Sequence, residues 1–359
     1  MSLKPPPDPA RVRSILVRST NWIGDVVMIS PALFALRARF PSARIEVVAL
    51  PHLTECFAGN PAVDEVIPFD RRGRDRGALG LLRFARKLRA RKYDLAVLFQ
   101  KAIGAALMAK LAGVPLRVGI AADRRAWLLT HAVPLTQELA RKHQLDLFSE
   151  VARAAGCESV ERRPFFPVSE EAKRFAGEFL EREKAGRFSF LIALHVGASK
   201  KPRAWHLERF IEAVLRIAEP AGAGVLLLGG GGEAAEMSRA AAMLEGRAIN
   251  ACGRTTIPQM AALISRSRLL LGNDSGPMHL AGALGVPVVA IFGPGDPVRT
   301  SPVYSATPAP VALISRRYPC APCRQDFFRE CYPSPAGKPM CLESIGVDEV
   351  VTAAATLLR

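Results

Sequence analysis

The chain has 359 residues, of which 49% are hydrophobic and 23% are charged, and its formal net charge is +16. This composition argues against a disordered chain, and no apolar run approaches the ~20 residues that a membrane-spanning helix needs. The length predicts two domains, and the charge predicts an anionic partner such as nucleic acid, a membrane surface or a phosphorylated substrate.

The first half of the chain alternates short apolar strands with helices. The sequence predicts strands at 14–17, 45–50, 65–68, 95–99 and 116–120, and helices at 26–39, 53–58, 79–92, 102–112 and 143–155. Helices that separate short apolar runs are typical of a parallel, doubly wound sheet, so we expect an α/β domain.

A polar turn follows the first predicted strand and precedes the first long helix. It ends in Gly24 and Asp25, which places a carboxylate where a strand passes into a helix. Open α/β sheets bind their ligands at such crossovers. The turn is not a G-x-G-x-x-G fingerprint, so it does not indicate a dinucleotide. The residues alone leave two interpretations of Asp25, a catalytic group or a cap of the following helix.

Basic residues are concentrated in the loop at 71–76 and in the helix after it. We expect most of them to be solvated surface charges. Nucleic-acid binding is not the expected main role, because the sequence has no zinc-finger spacing, no basic zipper and no aromatic-studded RNA-binding strand.

The second half repeats the same plan after a proline-bearing segment at 164–167. Strands are predicted at 188–195, 224–228, 248–251, 269–271 and 286–292, and helices at 169–184, 207–218, 234–244, 257–265, 280–284 and 347–358. We therefore expect an N-terminal domain at 1–165, a linker helix region at 166–187 and a C-terminal domain at 188–359. The expected architecture is two Rossmann-like, doubly wound domains that face each other across a cleft.

The polar turn GNDSGPMH at 272–279 lies between an apolar strand and a helix of small residues. Unpaired N–H groups and the helix dipole favour an anion at such a helix N-terminus. Ser275 and Gly276 suit a backbone that closes around phosphate, whereas Asp274 suits a hydroxyl or an amide. A phosphate site beside a hydroxyl site suggests a nucleotide. The alternative is that Asp274 or Ser275 only caps the helix.

The cysteines and the N-terminus bear on the compartment. The N-terminus shows no signal-peptide h-region, so we expect a cytoplasmic protein without structural disulfides. Near the C-terminus, Cys320 and Cys323 form a C-x₂-C pair, and Cys331 and Cys341 follow at a wider spacing than paired metal motifs use. This pattern leaves three interpretations: a structural zinc or iron–sulfur site, free or redox-labile thiols, or disulfides.

Four sequence blocks together resemble one known family, the ADP-heptose:lipopolysaccharide heptosyltransferases of glycosyltransferase family 9. The blocks are NWIGDVVM at 21–28, RAW at 203–205, LGG at 228–230 with Glu233, and NDSGPMH at 273–279. The resemblance extends from about residue 15 to the C-terminus, and the first block is most similar to the heptosyltransferase II branch.

The resemblance implies the GT-B fold, with an acceptor-binding N-terminal domain and an ADP-sugar-binding C-terminal domain. It implies an inverting transferase that moves L-glycero-D-manno-heptose from ADP-heptose to the heptosyl-Kdo inner core of lipopolysaccharide, without a cofactor and without a D-x-D metal site. Asp25 matches the general base that would take the proton from the acceptor hydroxyl.

The resemblance also implies which residues bind the donor. Backbone N–H groups would reach the diphosphate together with one of three cations, Glu233 or its neighbour Glu236 would meet the ribose or adenine, and His279 would either donate to phosphate or simply pack. We expect Trp205 to pack under its loop. The expected donor-binding residues are Gly24, Ser199, Lys200, Lys201, Arg203, Glu233, Asp274, Ser275, Gly276, Pro277, Met278 and His279.

The implied acceptor is the anionic Kdo-lipid A type inner core, and the basic N-terminal half fits its carboxylates and phosphates. We expect contact with the anionic cytoplasmic face of the inner membrane, where each basic residue contributes roughly 1 kcal/mol. The expected acceptor-binding residues are Arg18, Asn21, Arg71, Arg72 and Lys101.

Two other functions remain open at this point. The nearer one is heptosyltransferase I or another family 9 transferase with a different acceptor or ADP-sugar. The more distant one is a non-enzymatic basic protein that binds nucleic acid or a membrane surface and shows salt-sensitive affinity for polyanions.

Overall fold

The computed structural model describes residues 5–198, 200–305, 310–320, 323, 328, 331 and 333–359. The chain divides into two compact units, Met1–Pro167 and Val168–Arg359. Each unit contains a six-stranded sheet, and every strand pairing in both sheets is parallel.

The first unit has the strand order β3-β2-β1-β4-β5-β6. Its strands are β1 (Ser14–Arg18), β2 (Arg44–Ala49), β3 (Glu65–Pro68), β4 (Leu95–Leu98), β5 (Leu116–Ala121) and β6 (His131–Pro134). Its helices are α1 (Ile23–Arg39), α2 (Gly77–Arg89), α3 (Ile103–Leu111), α4 (Gln137–Arg141) and α5 (Gln144–Ala154).

Helices cover both faces of this first sheet. Phe84 and Leu88 of α2 and Met108 of α3 share one buried cluster with Leu16 and Leu98 of the sheet. Helices α1 and α5 pack against each other and contribute nothing to that cluster, so they cover the opposite face. The buried strands explain why the sequence shows continuous apolar runs rather than alternation.

The second unit has the strand order β12-β11-β10-β7-β8-β9. Its strands are β7 (Leu191–His195), β8 (Gly224–Leu227), β9 (Ala248–Asn250), β10 (Leu269–Asn273), β11 (Val288–Phe292) and β12 (Val311–Ser315). Its helices are α6 (Glu170–Arg182), α7 (Leu207–Ala218), α8 (Ala234–Met243), α9 (Ile257–Ile264), α10 (Gly276–Leu284), α11 (Pro297–Thr300), α12 (Met340–Glu343) and α13 (Val347–Leu358).

Side-chain caps fix where several of these helices begin. Ser169 accepts a hydrogen bond from the backbone N–H of Ala172 at the start of α6. Thr256 and Gln259 form a reciprocal capping box at the start of α9. Helix α6 packs against α9, so the structure places this helix in the second unit, within the region that the sequence predicts as a linker.

Both sheets have a topological switch point at their first strand. β1 lies between β2 and β4, and β7 lies between β8 and β10. The chain leaves these strands in opposite directions across the sheet, which opens a crevice at their carboxyl ends. The predicted turn at 18–25 follows β1, and the predicted turn at 272–279 follows β10, the strand beside β7.

Three differences from the sequence-based elements affect the site. Helix α1 begins at Ile23 rather than at residue 26, and α10 begins at Gly276 rather than at residue 280. The edge strands β6 and β12 have no counterpart among the predicted strands. The segment predicted as a helix at 53–58 is a 3-10 helix, Pro51–Phe57. In the described part of the chain, no helix combines the length and apolarity needed to cross a bilayer.

Candidate functional site

The N-terminus of α10 carries backbone donors that no side chain caps. Ser275 occupies the N-cap position, but its side chain makes no capping hydrogen bond. Its hydroxyl instead donates to the carbonyl of Asn273, 3.1 Å away, and lies 3.1 Å from Nδ1 of His195. The interpretation of Ser275 as a mere helix cap therefore does not fit, and the first N–H groups of α10 remain oriented for an anion. Pro277 has no N–H to contribute.

Asp274, directly before this turn, is paired with Arg203. The guanidinium donates to the Asp274 carboxylate, which is itself largely buried. Burial raises the pKa of Asp274, and the charge of Arg203 opposes that rise. A Cβ at position 295 would approach Oδ2 of Asp274 to 2.1 Å, so Gly295 is needed for this placement. Arg203 thus lies at the end of β10, beside the N-terminus of α10.

Asn273 forms hydrogen bonds with both ends of the loop that carries Arg203. This buried side chain accepts a hydrogen bond from the backbone N–H of Trp205 at 2.9 Å and donates to the carbonyl of Val196 at 2.6 Å. Both ends of the 196–205 loop are therefore attached to β10. Trp205 is 2% exposed and packs edge-on against Phe210, which confirms the prediction that it is a packing residue.

Glu233 folds back towards the strand ends. Its Oε2 accepts a hydrogen bond from the backbone N–H of Gly230 at 2.7 Å. Its Oε1 lies 1.4 Å from where a Cβ of residue 197 would stand, so the absence of a side chain at Gly197 makes room for this position of the carboxylate. Glu236, the predicted alternative, is exposed on α8. Glu233 is thus the carboxylate that lies at the carboxyl ends of β7 and β8.

His195, the last residue of β7, connects two of these groups. Its Nδ1 contacts the Ser275 hydroxyl, and its Nε2 lies 4.0 Å from Oε1 of Glu233. Burial lowers the pKa of His195, an effect that the charge of Glu233 partly opposes. The imidazole is therefore mainly neutral near pH 7.

Of the remaining predicted donor residues that the structure describes, Gly24 lies in α1 of the first unit, and the others lie in the 196–205 loop or at the start of α10. Lys200 and Lys201 are exposed, and Met278 and His279 are buried in the first turns of α10. Ser199 lies outside the described residues. The structure therefore brings Arg203, Glu233, Asp274 and Ser275 together at one sheet edge, with the two lysines on the adjoining loop.

In the first unit, Asp25 is the third residue of α1. The N-cap is Trp22, and no side chain caps this end of the helix, so Asp25 does not act as the cap. Its carboxylate is partly accessible to solvent, but the surrounding protein desolvates it and raises its pKa to about 6. The charge of Lys101, from the turn after β4, opposes this rise. Asp25 and Lys101 therefore lie near each other at the switch point.

Arg18, predicted to bind the acceptor, is 3% exposed and supports the turn itself. Its guanidinium donates to the carbonyls of Ser19 and Val48 and to Oδ1 of Asn21, which is 3.1 Å away. Burial, together with the charge of Arg71, lowers the pKa of Arg18 to about 10. Arg71 and Arg72 are exposed on the neighbouring loop, so their side chains are the accessible cations here.

Arg125, like Arg18, departs from the expectation that most of the basic residues in the first half are solvated. It is fully buried and donates to the carbonyls of Ile120, Gln100 and Ala102. Because two of these carbonyls flank Lys101, Arg125 fixes the turn that carries Lys101. The sequence offers no signal for this role beyond the position of Arg125 after β5.

Two further residues of the site were not predicted, His195 and Asn273. His195 ends an apolar strand at 191–195 and precedes a glycine-bearing loop, which is a detectable signal. Asn273 is part of the NDSGPMH block, but its two hydrogen bonds join segments about 70 residues apart.

The four tail cysteines lie close enough to influence one another. Burial raises the pKa of the Cys341 thiol to about 11, and Cys320, Cys323 and Cys331 contribute to the rise. None of the cysteines is in a disulfide. Among the described residues, no group of three or more His, Cys, Asp or Glu side chains is arranged to hold a metal ion.

Comparison with protein families gives one match. The model of glycosyltransferase family 9 (heptosyltransferase) matches residues 81–330. Lipopolysaccharide heptosyltransferase 2 from Escherichia coli strain K12 is 28% identical over 303 residues, which is 80% of this chain and 85% of that protein. Relatives named lipopolysaccharide heptosyltransferase 1 and 3 also match, at 24% and 23% identity.

Two solved structures share the fold over nearly the whole chain. A glycosyltransferase family 9 protein from Veillonella parvula has a TM-score of 0.81 at 24% identity, with 96% of this chain and 97% of that chain covered. The ADP-heptose lipopolysaccharide heptosyltransferase II of E. coli has a TM-score of 0.77 at 24% identity, with 96% and 98% covered. These matches confirm the predicted GT-B fold of two Rossmann-like domains.

Proposed function

This chain belongs to glycosyltransferase family 9, the heptosyltransferases, and we propose that it transfers L-glycero-D-manno-heptose from ADP-heptose to the heptosyl-Kdo inner core of lipopolysaccharide. The observation that carries the proposal is Asp25: a carboxylate at a sheet switch point, not used as a helix cap, with a pKa raised to about 6. A general base works best with a pKa near the working pH.

The reaction is an inverting displacement. The Asp25 carboxylate takes the proton of the acceptor hydroxyl while that oxygen forms a bond to C1 of the heptose. The bond from C1 to the β-phosphate oxygen breaks at the same time, and ADP leaves with the bonding electron pair. Lys101 lies near enough to Asp25 to lower its pKa, so it helps to keep the base ionised before the proton moves.

The donor site of the second unit is suited to ADP. The uncapped N-terminus of α10 and the cations Lys200, Lys201 and Arg203 offer positive charge to the diphosphate. Glu233 lies at the strand ends, where a carboxylate can accept hydrogen bonds from ribose hydroxyls. Arg203 is paired with Asp274, so we expect the diphosphate to compete with Asp274 for this guanidinium. With this positive charge in place, the proposed chemistry requires no metal ion.

The acceptor step remains open within the family. The relatives carry the names of heptosyltransferases 1, 2 and 3, so addition of a first heptose to Kdo-lipid A is the alternative. The NWIGDVVM block favours the second addition. The chain belongs to a family of enzymes, so nothing supports the alternative that it is a non-enzymatic protein that binds nucleic acid or a membrane surface.

The test is acceptor-dependent release of ADP by the purified chain. ADP-heptose is supplied with Kdo-lipid A, with or without a preinstalled heptose, and the product is analysed by mass spectrometry. We expect one added heptose only on the acceptor that already carries one. Transfer to bare Kdo-lipid A alone would identify the first addition instead, and no release of ADP with either acceptor would refute both assignments.

A further inference from the structure

One layer of the first unit carries charge of a single sign. Helices α2 and α3 and the 3-10 turn Ala126–Leu128 pack on the same face of the sheet, and none of the three segments contains an acidic residue. We call the outer surface of these segments the α2–α3 face. Its cations are Arg83, Arg86, Lys87 and Arg89 of α2 and Lys110 of α3.

The cations of this face are available to an outside partner. Arg83, Arg86, Lys87 and Arg89 are all exposed. None of the four has an ion-pair partner among the residues that the structure describes. Like charges at this spacing repel one another on a helix, so a partner that neutralises them would be stabilising.

Large apolar side chains protrude from the same face. Leu79 is 82% exposed, Trp127 66% and Ile103 46%, and Leu111 lies two helical turns after Ile103. Lys110 stands 4.6 Å above the ring of Trp127. Exposed apolar side chains with cations beside them are typical of interaction surfaces.

We propose that the α2–α3 face docks on an anionic lipid bilayer. The combination of Lys and Arg with exposed Leu, Ile and Trp is that of segments that lie in a membrane interface, where apolar tips enter the acyl boundary and cations meet lipid phosphates. The exposed apolar side chains favour a bilayer over nucleic acid, because nucleic acid offers no hydrocarbon region in which leucine or isoleucine can be buried.

The docking direction suits a lipid-linked acceptor, and in this respect the inference rests on the proposed function. Leu79 and Ile103 lie at the N-terminal ends of their helices, as Asp25 does in α1. In a parallel sheet with helical crossovers, these ends lie at the carboxyl edge of the sheet. Insertion of Leu79 and Ile103 into the bilayer therefore holds the edge that carries Asp25 close to its surface.

The test measures flotation of the full chain with vesicles of phosphatidylglycerol and phosphatidylethanolamine, and with neutral phosphatidylcholine vesicles. The charge variant is Arg83→Gln with Arg86→Gln and Lys87→Gln. Its control removes three exposed cations elsewhere, by Arg174→Gln, Lys184→Gln and Arg266→Gln. We expect about a 100-fold loss of affinity for the anionic vesicles in the charge variant, and little change in the control.

The apolar variant combines Leu79→Ser with Ile103→Ser, and its control is Leu313→Ser on β12. Serine is compatible with both helix starts, so folding should be preserved. We expect at least about a tenfold loss of vesicle affinity in the apolar variant only. Turnover of a deacylated, water-soluble acceptor should be unchanged in all variants, whereas turnover of a vesicle-embedded acceptor should fall with vesicle binding.

Three results would overturn the proposal. The first is equal affinity of the wild type for anionic and neutral vesicles. The second is an equal loss of vesicle affinity in the charge variant and its control. The third is an apolar variant that binds vesicles like the wild type, in which case binding of duplex DNA to the same face would identify nucleic acid as the partner. Loss of vesicle binding by the face variants in a chain that transfers heptose to neither acceptor would support the docking face and refute the proposed function.

Discussion

If Asp25 is the general base that we propose, its pKa sets the pH range in which the enzyme is active. Its pKa of about 6 means that the carboxylate is ionised at pH 7.5 and protonated below pH 6. The Asp25→Asn variant retains the shape of the side chain but cannot accept a proton. We expect kcat to fall by roughly 10²–10⁴-fold with KM much less affected, measured as ADP release at saturating donor. Near wild-type turnover would mean that another group is the base.

The stability of the same variant tests the alternative of a structural role. A carboxyl whose folded-state pKa is raised above its unfolded value loses stability as the pH rises through the window from about 4 to about 6. Asparagine avoids that loss, so Asp25→Asn should melt no lower than the wild type at pH 7.5. A lower Tm at that pH would favour a structural function. The acid limb of the wild-type kcat/KM profile, which reports the free enzyme, should lie near pH 6.

His195 positions Ser275 beside the N-terminus of α10. The Ser275 hydroxyl has the carbonyl of Asn273 as its acceptor, so the network assigns the proton of the neutral imidazole to Nδ1. Nε2 then faces Glu233, and two acceptors 4.0 Å apart leave room for a hydroxyl donor between them. We expect His195→Ala to weaken ADP binding about tenfold, the worth of one good hydrogen bond, by calorimetry.

Two conservative variants of His195 test whether its side chain positions Ser275 through a hydrogen bond or only packs. Asparagine can donate from the position of Nδ1, and glutamine can replace only Nε2. We expect His195→Asn to recover most of the ADP affinity and His195→Gln to recover little. Equal losses of affinity and equal losses of Tm in all three variants would show that His195 only fills space.

The 196–205 loop depends on Asn273 for its attachment to β10. Asn273→Ala leaves the N–H of Trp205 and the carbonyl of Val196 buried without this partner. Each such group costs ~1–3 kcal/mol, so for the two groups together the free energy of unfolding in urea should fall by ~2–6 kcal/mol. ADP binding should weaken too, because Arg203 belongs to this loop. Asn250→Ala, which removes one half-buried bond to Cys252, is the matched control and should retain ADP affinity.

Metal analysis of the purified protein can decide whether the C-terminal cysteines form a metal site or are free or redox-labile thiols. A metal held by Cys320, Cys323, Cys331 and Cys341 predicts about one zinc or iron site per chain, and a chelator would then lower the Tm. Cys341→Ser should abolish the metal content, whereas Cys56→Ser, in the first unit, should not change it. Anaerobically purified protein without stoichiometric metal would support the thiol interpretation.

In the proposed function, the second unit binds the ADP-sugar donor and the first unit binds the acceptor. All predicted donor residues except Gly24 lie in Val168–Arg359, and the buried cluster of that unit is its own. We therefore expect residues 168–359, expressed alone, to fold and to bind ADP within about tenfold of the full chain without transferring heptose. Residues 5–167 should fold and bind no ADP. A folded second unit without ADP affinity would mean that the first unit supplies an essential donor contact.

The order of elements was predictable because it depends on local patterns. Short apolar runs separated by helical periodicity indicate a parallel sheet, and the predicted helices at 207–218 and 347–358 agree with α7 and α13. The weakest predictions were at the ends of elements and at the sheet edges. β6 has only four residues, including a histidine and a proline, so its sequence carries little strand signal.

The site was only partly predictable from sequence. The turns that contain Asp25 and Ser275 each follow an apolar strand. Glycine and small polar residues in such turns indicate ligand contact, and this signal is local, so it does not depend on the rest of the fold. The pairing of Arg203 with Asp274 joins positions 71 residues apart, and the contact of His195 with Ser275 joins positions 80 residues apart. The burial of Arg125 likewise depends on which strands are neighbours.

Strand and helix periodicity and turn chemistry act over a few residues, so the α/β class, the two-domain plan and the two turns expected to bind ligand were predictable from the sequence. Which charges are neutralised, which polar groups are buried and which cations remain exposed depends on how distant segments assemble. Strand order is the cause: β7 lies between β8 and β10, so only the assembled sheet brings Glu233 and Ser275 to opposite sides of the His195 imidazole.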